Sequence, residues 1–260
     1  MRLCNLLPVT ENGSVGGGVS NRALAALRAV QPEGVNYLEF TEAELAEIRL
    51  ALESMAECAL PRWDHFASQL VRAVLDEGAT LFKEGDNWPY MGMVVRGYVE
   101  LRTADDKGDS WVMSIAEPGQ LVASPPALLP RGMTTMLGLF PSYSQIRQEF
   151  ERGHTIHSAR AITDAGIVVV PYATLEDLAE TETEWASMLM RQTMLFAAGK
   201  ELRHREFVTL SPLDRYLRFE RDRGHLLSLL PKRSVASLLG ITPESLSRIL
   251  ARLAQRRDEV

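Results

Sequence analysis

The chain has 260 residues, 46% of them hydrophobic and 24% charged, with a formal net charge of −6. That is the composition of a globular chain of one large domain or two smaller ones, long enough to bury a core without staples. No apolar run reaches the ~18–20 residues of a membrane span, and the start, MRLCNLLPVTENGS, with one basic residue and a short apolar patch, is a poor signal peptide.

Residues 10–22, TENGSVGGGVSNR, read as a flexible, turn-rich segment. NRALAALRAV is apolar at helical spacing and predicts a short helix. Thr41–Glu57 predicts a second helix, opened by a capping box of Thr41 and Glu44, with Leu45, Ile48, Leu52 and Met55 on one face. Cys58, just past it, is expected as a small buried apolar residue rather than a redox switch. Cys4 and Cys58 are too few for a disulfide framework, a Cys-rich zinc site or a four-cysteine iron–sulfur cluster. Free thiols suit a reducing cytoplasm, which is the expected location.

From about residue 68 the period changes to two. QLVRAVLDEGATLFKEGD, MGMVVRGYVELRTADD and SWVMSIAEPGQLVAS are strand-like runs punctuated by glycine turns. Several short strands at close spacing predict a small barrel or jelly roll. Residues 133–153 do not alternate, and a short helix is expected after Pro141. Alternation resumes at His154 and ends in a β-rich run at Ile167–Val170. Helix then dominates Glu176–Arg205, with Trp185, Met188, Leu189, Met194, Phe196 and Leu202 in one stripe. Another helix begins at Ser211-Pro212, an N-cap followed by proline at the first helical position.

The charge is uneven. Residues 1–199 hold 15 basic and 26 acidic side chains, net −11, whereas residues 200–260 hold 13 and 8, net +5. Between Lys232 and Arg257 six basic residues accompany one acidic residue, Glu244. Local positive charge is what a polyanionic partner requires, although a solvated helix face of mixed charge gives the same count.

The stretch 229–257, LLPKRSVASLLGITPESLSRILARLAQRR, carries the most information. One helix runs from Lys232 to Leu239, and Gly240 ends it where a positive φ costs least. Thr242 caps a second helix with Pro243 at its first position, and Leu246, Ile249, Leu250 and Leu253 form its buried face. Polar residues then crowd the start of the second helix, as a recognition helix in a major groove requires. Arginine can grip guanine with two hydrogen bonds, and a carboxylate can accept one from cytosine. A packing hairpin has the same period.

SVASLLGITPESLSRILARL at 234–253 resembles the DNA-binding end of the Crp/Fnr family, the cyclic-AMP receptor protein and fumarate–nitrate regulator group of bacterial transcription factors. LFKEGDNWPYMGMVVRGYVEL at 81–101, with Gly85, Asp86 and Gly97, resembles the family's sensor barrel. VVVPYATLEDL at 168–178 resembles its last strand and the approach to its dimerisation helix, and Arg215-Tyr216 matches the start of the next helix in one branch. The resemblance covers roughly residues 68–257. It implies an α+β fold: a cyclic-nucleotide-binding-type β-barrel (jelly roll), a long dimerisation helix and a C-terminal helix-turn-helix. The expected domains are a flexible and helical extension at 1–66, the barrel at 67–178, the dimerisation helix at 179–209 and the DNA-binding domain at 210–260.

The resemblance places Glu244 and Arg248 where the family reads bases, and Ser245 at a hydroxyl position for a phosphate or base. Thr242 and Ser247 are expected phosphate contacts, and Arg252 is either a further contact or a solvated charge. Pro243 replaces the family's usual first arginine, and the β-wing of many members does not follow the last helix. Parallel pairing of the long helix would set two recognition helices about one DNA turn, ~34 Å, apart. The expected partners are therefore duplex DNA bearing an inverted repeat, a second copy of the chain, and RNA polymerase.

The family's cyclic-nucleotide clamp is not kept. Its Gly-Glu pair falls on Ala123-Ser124 and its Arg-Ser pair on Thr155-Ile156, with some 20 residues inserted between, centred on Met133–Gly153. A buried phosphate needs a guanidinium and backbone donors. Ser124, Ser158 and Arg160 are the nearest candidates for an effector of unknown identity, and cyclic AMP is not expected in the usual manner. No metal, haem or iron–sulfur cluster is expected either. His154 and His157, three apart on a strand, would face opposite ways. No catalytic pair of carboxylates, no Ser-His-Asp arrangement and no GxxxxGK[ST] loop is recognisable, so no enzyme is expected. The alternative is a ligand-binding or protein-interaction module whose helix-turn-helix no longer meets DNA.

Overall fold

The structure, a computed structural model, describes residues 21–104 and 108–258. The chain forms two compact units. The first extends to Leu101 and resumes from Ile115 to Arg191, and the second comprises Arg102–Ser114 and the chain from Gln192 onward.

Among the described residues nine strands build the sheets: β1 (Val35–Leu38), β2 (Val71–Leu75), β3 (Thr80–Phe82), β4 (Tyr90–Arg96), β5 (Val99–Ala104), β6 (Ser110–Ala116), β7 (Leu121–Val122), β8 (Ser158–Ala161) and β9 (Ala165–Pro171). They form a five-stranded sheet, β1-β2-β9-β4-β7, and a four-stranded one, β3-β8-β5-β6. The β1–β2, β2–β9, β3–β8, β4–β7 and β4–β9 pairs are antiparallel. Side chains alternate across each strand, so Val71, Ala73 and Leu75 of β2 enter one core with Ile167 and Val169 of β9. The opposite face of β9 presents Val168 and Val170 to a second core under the helices. β2 to β9 are the jelly-roll strands the two-residue period predicts.

The helices of the first unit are α1 (Arg22–Ala29), α2 (Glu42–Ala56), α3 (Trp63–Ala67), α4 (Pro125–Leu128), α5 (Met133–Gly138), α6 (Ser144–Arg152) and α7 (Tyr172–Thr181). α2 carries the predicted capping box: Thr41 N–H donates to the Glu44 carboxylate at 2.8 Å, and Glu44 N–H donates to Thr41 Oγ1 at 3.3 Å. Ile48 and Leu52 of α2, Trp63 and Phe66 of α3 and Leu175 and Leu178 of α7 fill the second core. Trp185 joins them, and its indole N–H donates to Pro61 O at 2.8 Å. The insert holds α5 and α6, the latter after Pro141 as expected, and Arg131 at its base bridges the carboxylates of Glu176, Asp177 and Glu180 on α7.

Three expectations need correction. Residues 35–38 are strand, pairing with β2 from Val35↔Leu75 to Leu38↔Arg72, inside the stretch expected as a helical extension. Only Val35 and Tyr37 point inward from VNYL, and two apolar residues are too few to set a period. Cys58 is exposed rather than buried. The chain turns out of α2 at Glu57, which is left-handed at φ 59°, so Cys58 falls outside the apolar face. The helix expected over Glu176–Arg205 is two helices, α7 and α8 (Thr183–Thr209), separated by an extended Glu182. The Gly-rich part of residues 10–22 and Cys4 lie outside the described residues.

The second unit holds most of α8, then α9 (Pro212–Arg223), α10 (Lys232–Leu239) and α11 (Pro243–Asp258). Ser211 caps α9, its hydroxyl accepting from Asp214 N–H at 3.2 Å. Early in α8 Trp185 and Met188 are buried, but Met190, Met194, Leu195, Phe196 and Leu202 are exposed. Among the described residues no helix is long and apolar enough to cross a membrane.

Candidate nucleic-acid interface

α10 and α11 form the helix-turn-helix at the residues its local chemistry predicts. Gly240 adopts φ 62°, and two reverse bonds close the end of α10: Gly240 N–H to Ser237 O and Ile241 N–H to Ala236 O, both 3.0 Å. This paired closure satisfies carbonyls that a helix end otherwise leaves open. Thr242 then accepts from Ser245 N–H at 3.2 Å and starts α11. Val235, Leu238 and Leu239 of α10 bury against Leu246 and Ile249 of α11, while Leu250 and Leu253 are half-buried.

With that face turned inward, helical geometry leaves the polar residues outward. Thr242, Glu244, Ser247, Arg248 and Arg252 are exposed, and Ser245 is half-exposed. Glu244, Ser247 and Arg248 share one side of the first turn and a half, and Arg252 follows one turn after Arg248. Ser245 lies at the edge of that side, and its hydroxyl is engaged with Thr242 Oγ1 at 3.2 Å. Among the described residues Arg248 makes only long contacts, to Glu244 O and Ser245 Oγ, both 3.4 Å, so its guanidinium keeps donors for another partner. The Glu244 carboxyl is held below its ordinary value by its own backbone N–H, then by the Thr242 hydroxyl and the Arg248 charge. It is therefore an anionic acceptor at neutral pH.

Two supports of this element have no signature in the sequence. Phe207 of α8 packs on the turn, where a Cβ on Gly240 would stand 2.6 Å from its ring. Ser237 Oγ accepts from Val112 N–H at 2.6 Å and lies 3.2 Å from Val112 O, tying α10 to β6. Both partners come from distant parts of the chain, so no local pattern announces them.

In the sheet unit, the two positions assigned to the nucleotide clamp do meet. Ser124 is fully buried, and its hydroxyl accepts from Ile156 N–H at 3.1 Å. Thr155 donates from Oγ1 to Lys83 O and accepts from Asp86 N–H at 3.1 Å, which locks it to the turn after β3. Neither position supplies a cation. Ser158 accepts from Glu84 N–H at 2.9 Å. Arg160 is exposed, on the face of β8 opposite Ala159 and Ala161, bonded to Gly78 O at 3.1 Å and to the Glu100 carboxylate at 3.3 Å. Ser158 and Arg160 thus share a face that Ser124 does not. The core-facing side holds aromatic rings: Phe82–Trp88 centroids are 5.4 Å apart, Trp88–Tyr90 4.9 Å and Phe82–His157 5.8 Å. These residues do not fit the family's phosphate clamp. His154 is exposed and His157 buried, and no cluster of three metal-ligating side chains occurs among the described residues.

No protein-family model matches the sequence, and no curated protein is significantly similar to it. Solved structures are similar. FixK2 from Bradyrhizobium japonicum is 18% identical, with 72% of this chain and 85% of FixK2 covered, at a TM-score of 0.54. CLP from Xanthomonas campestris, a c-di-GMP-responsive global regulator, is 19% identical, with 74% and 90% covered, at a TM-score of 0.51. A CRP/FNR-family transcriptional regulator from Thermus thermophilus is 16% identical, with 71% and 86% covered, at 0.47. The first two establish the fold: this chain has the α+β architecture of FixK2 and CLP, with antiparallel sheets followed by a helical C-terminal part.

Proposed function

We propose that the chain, which shares the fold of FixK2 and CLP, is a Crp/Fnr-type transcription regulator that reads duplex DNA with α11. The observation that carries this reading is the first turn and a half of α11. There Glu244, Ser247 and Arg248 stand exposed on one side of a capped helix whose other side is buried. Glu244 and Arg248 are the base-reading pair, and Thr242, Ser245, Ser247 and Arg252 contact phosphate or flanking bases. A mere packing hairpin would not need a carboxylate and a guanidinium together on its exposed side.

The exposed apolar side chains of α8 support a homodimer, since Met194, Leu195, Phe196 and Leu202 need a partner surface. Two copies joined along α8 would present two recognition helices to an inverted repeat. The barrel domain serves as the sensor, and the protein acts by shifting between two arrangements of its paired DNA-binding domains. Its effector is not cyclic AMP held in the usual way. Ser124 and Thr155 are committed to backbone bonds, and Arg160 is committed to Gly78 and Glu100. Calorimetric titration of cyclic AMP and cyclic GMP into the folded dimer tests this point, and micromolar binding would refute it. Protection of the DNA upstream of its own coding sequence at low salt tests the regulator reading, and no protected segment would refute that.

A further inference from the structure

Within the second unit a cavity of about 140 Å³ opens where the end of α8 meets α9 and α10. Four arginines, Arg203, Arg215, Arg218 and Arg223, line it together with two carboxylates, Glu206 and Asp222. Arg218 takes both carboxylates, at 3.0 Å from Glu206 and 3.9 Å from Asp222, and Asp222 is further bound by Arg221 at 2.7 Å. Arg218 thus takes both lining carboxylates as ion-pair partners, and Arg203 and Arg215 pair with neither.

Arg203 and Arg215 are held by neutral groups. Arg203 donates to Leu238 O at 2.9 Å, and Arg215 donates to Phe207 O and Leu210 O, both at 3.2 Å. Their guanidinium carbons stand 5.0 and 5.2 Å from the centroid of the Phe207 ring. Neither forms an ion pair among the described residues, and Arg215 Nε is buried with no hydrogen-bond partner among them. Burial, and secondarily the charge of Arg223, pushes the Arg203 pKa down. The Glu206 carboxylate opposes this only in part, and a guanidinium does not deprotonate in a protein, so Arg203 remains a half-buried cation beside the cavity.

We propose that this cavity binds a phosphate group, either inorganic phosphate or the terminal phosphate of a phosphomonoester. Arginine forks match phosphate oxygens bidentately, and a group of nearly two negative charges answers the local excess. The volume suits one such group, because a cavity of about 150 Å³ takes up benzene, which has more heavy atoms than phosphate. A phosphodiester inside a duplex carries a sugar on each side and does not enter a pocket of that size. A bound phosphate would bridge α8 through Arg203 to α9 through Arg215 and fix the helix-turn-helix on α8. The site itself does not depend on the DNA-reading proposal.

The test is calorimetric titration of the full chain, in chloride buffer at constant ionic strength, with sodium phosphate, glucose 6-phosphate and a short random DNA duplex. The expected result is saturable binding of one phosphate or phosphomonoester per chain, weakened about tenfold or more in Arg203→Met. Arg203→Lys, which keeps the charge and loses the fork, should weaken it less, and carries the test if Arg203→Met does not fold. The exposed Arg147→Met should leave binding unchanged. Tighter binding of the ester than of phosphate names the ester as the ligand, and the reverse order names free phosphate. Absence of saturable binding by both, equal affinity in the Arg203 variants, or heat with the duplex alone would overturn the proposal.

Discussion

Gly240 and the ring of Phe207 are in such close approach that a Cβ on the glycine would stand 2.6 Å from Cε1. Gly240 also needs its left-handed φ of 62°. Two separate costs therefore meet at one position: backbone strain in any other residue and a clash with an aromatic ring. Gly240→Ala should destabilise the C-terminal unit by roughly 2–4 kcal/mol. The double variant with Phe207→Ala should lose less than the sum of the two single losses, because the clash is then gone and only the backbone strain of the alanine remains. Denaturant unfolding of the two single variants and the double variant checks this, and strict additivity would count against the contact.

Base reading is assigned to Arg248 and Glu244. Arg248→Ala should cost ~1–3 kcal/mol of discrimination at one base pair of each half-site. Glu244→Ala should relax preference at a different position. Arg252→Ala should weaken binding to all sequences alike if it meets phosphate. Competition binding with single-position operator variants separates the three patterns.

The pH behaviour of Glu244 follows from its depressed pKa. Its ordinary value is 4.5, and the folded value lies below that. A carboxyl shifted this way stabilises the folded helix end above its ordinary value, and the effect is lost as pH falls through the lower folded value. Base preference at the Glu244 position should therefore hold from pH 8 to pH 5, as measured by competition binding. A change in preference within that range would contradict the assignment.

The exposed stripe of α8 predicts a change of assembly rather than of folding. Phe196 is 45% exposed and Leu195 69% exposed, so neither supports the chain's own core. Phe196→Glu should convert the dimer to monomer at micromolar concentration and leave the thermal unfolding of the sheet unit within about 0.5 kcal/mol. Sedimentation velocity reads the first and calorimetry the second.

The helix-turn-helix was legible because its determinants are local: a glycine that permits positive φ, a threonine cap, and a period of apolar residues within 26 positions from Lys232 to Arg257. The capping box of α2 and the strands from β2 to β9 were legible for the same reason. β1 was not, since only Val35 and Tyr37 of its four residues face the core. Cys58 was misplaced because a left-handed residue at Glu57 ends the helix one position earlier than the apolar period suggests. The arginine cavity is invisible in sequence. Arg203 and Arg215 belong to two helices, and only packing shows that Arg218 takes the nearby carboxylates and that these two arginines pair with neither.

The central claim is that this chain reads DNA as a symmetric dimer through α11. Selection of duplexes from a random pool by the full-length protein at low salt, followed by sequencing, addresses it most directly. The account predicts enrichment of inverted repeats whose half-sites are centred about one helical turn, ~34 Å, apart, with the preference altered in Arg248→Ala and Glu244→Ala. A pool that stays random, or an enriched sequence unchanged in both variants, would contradict it.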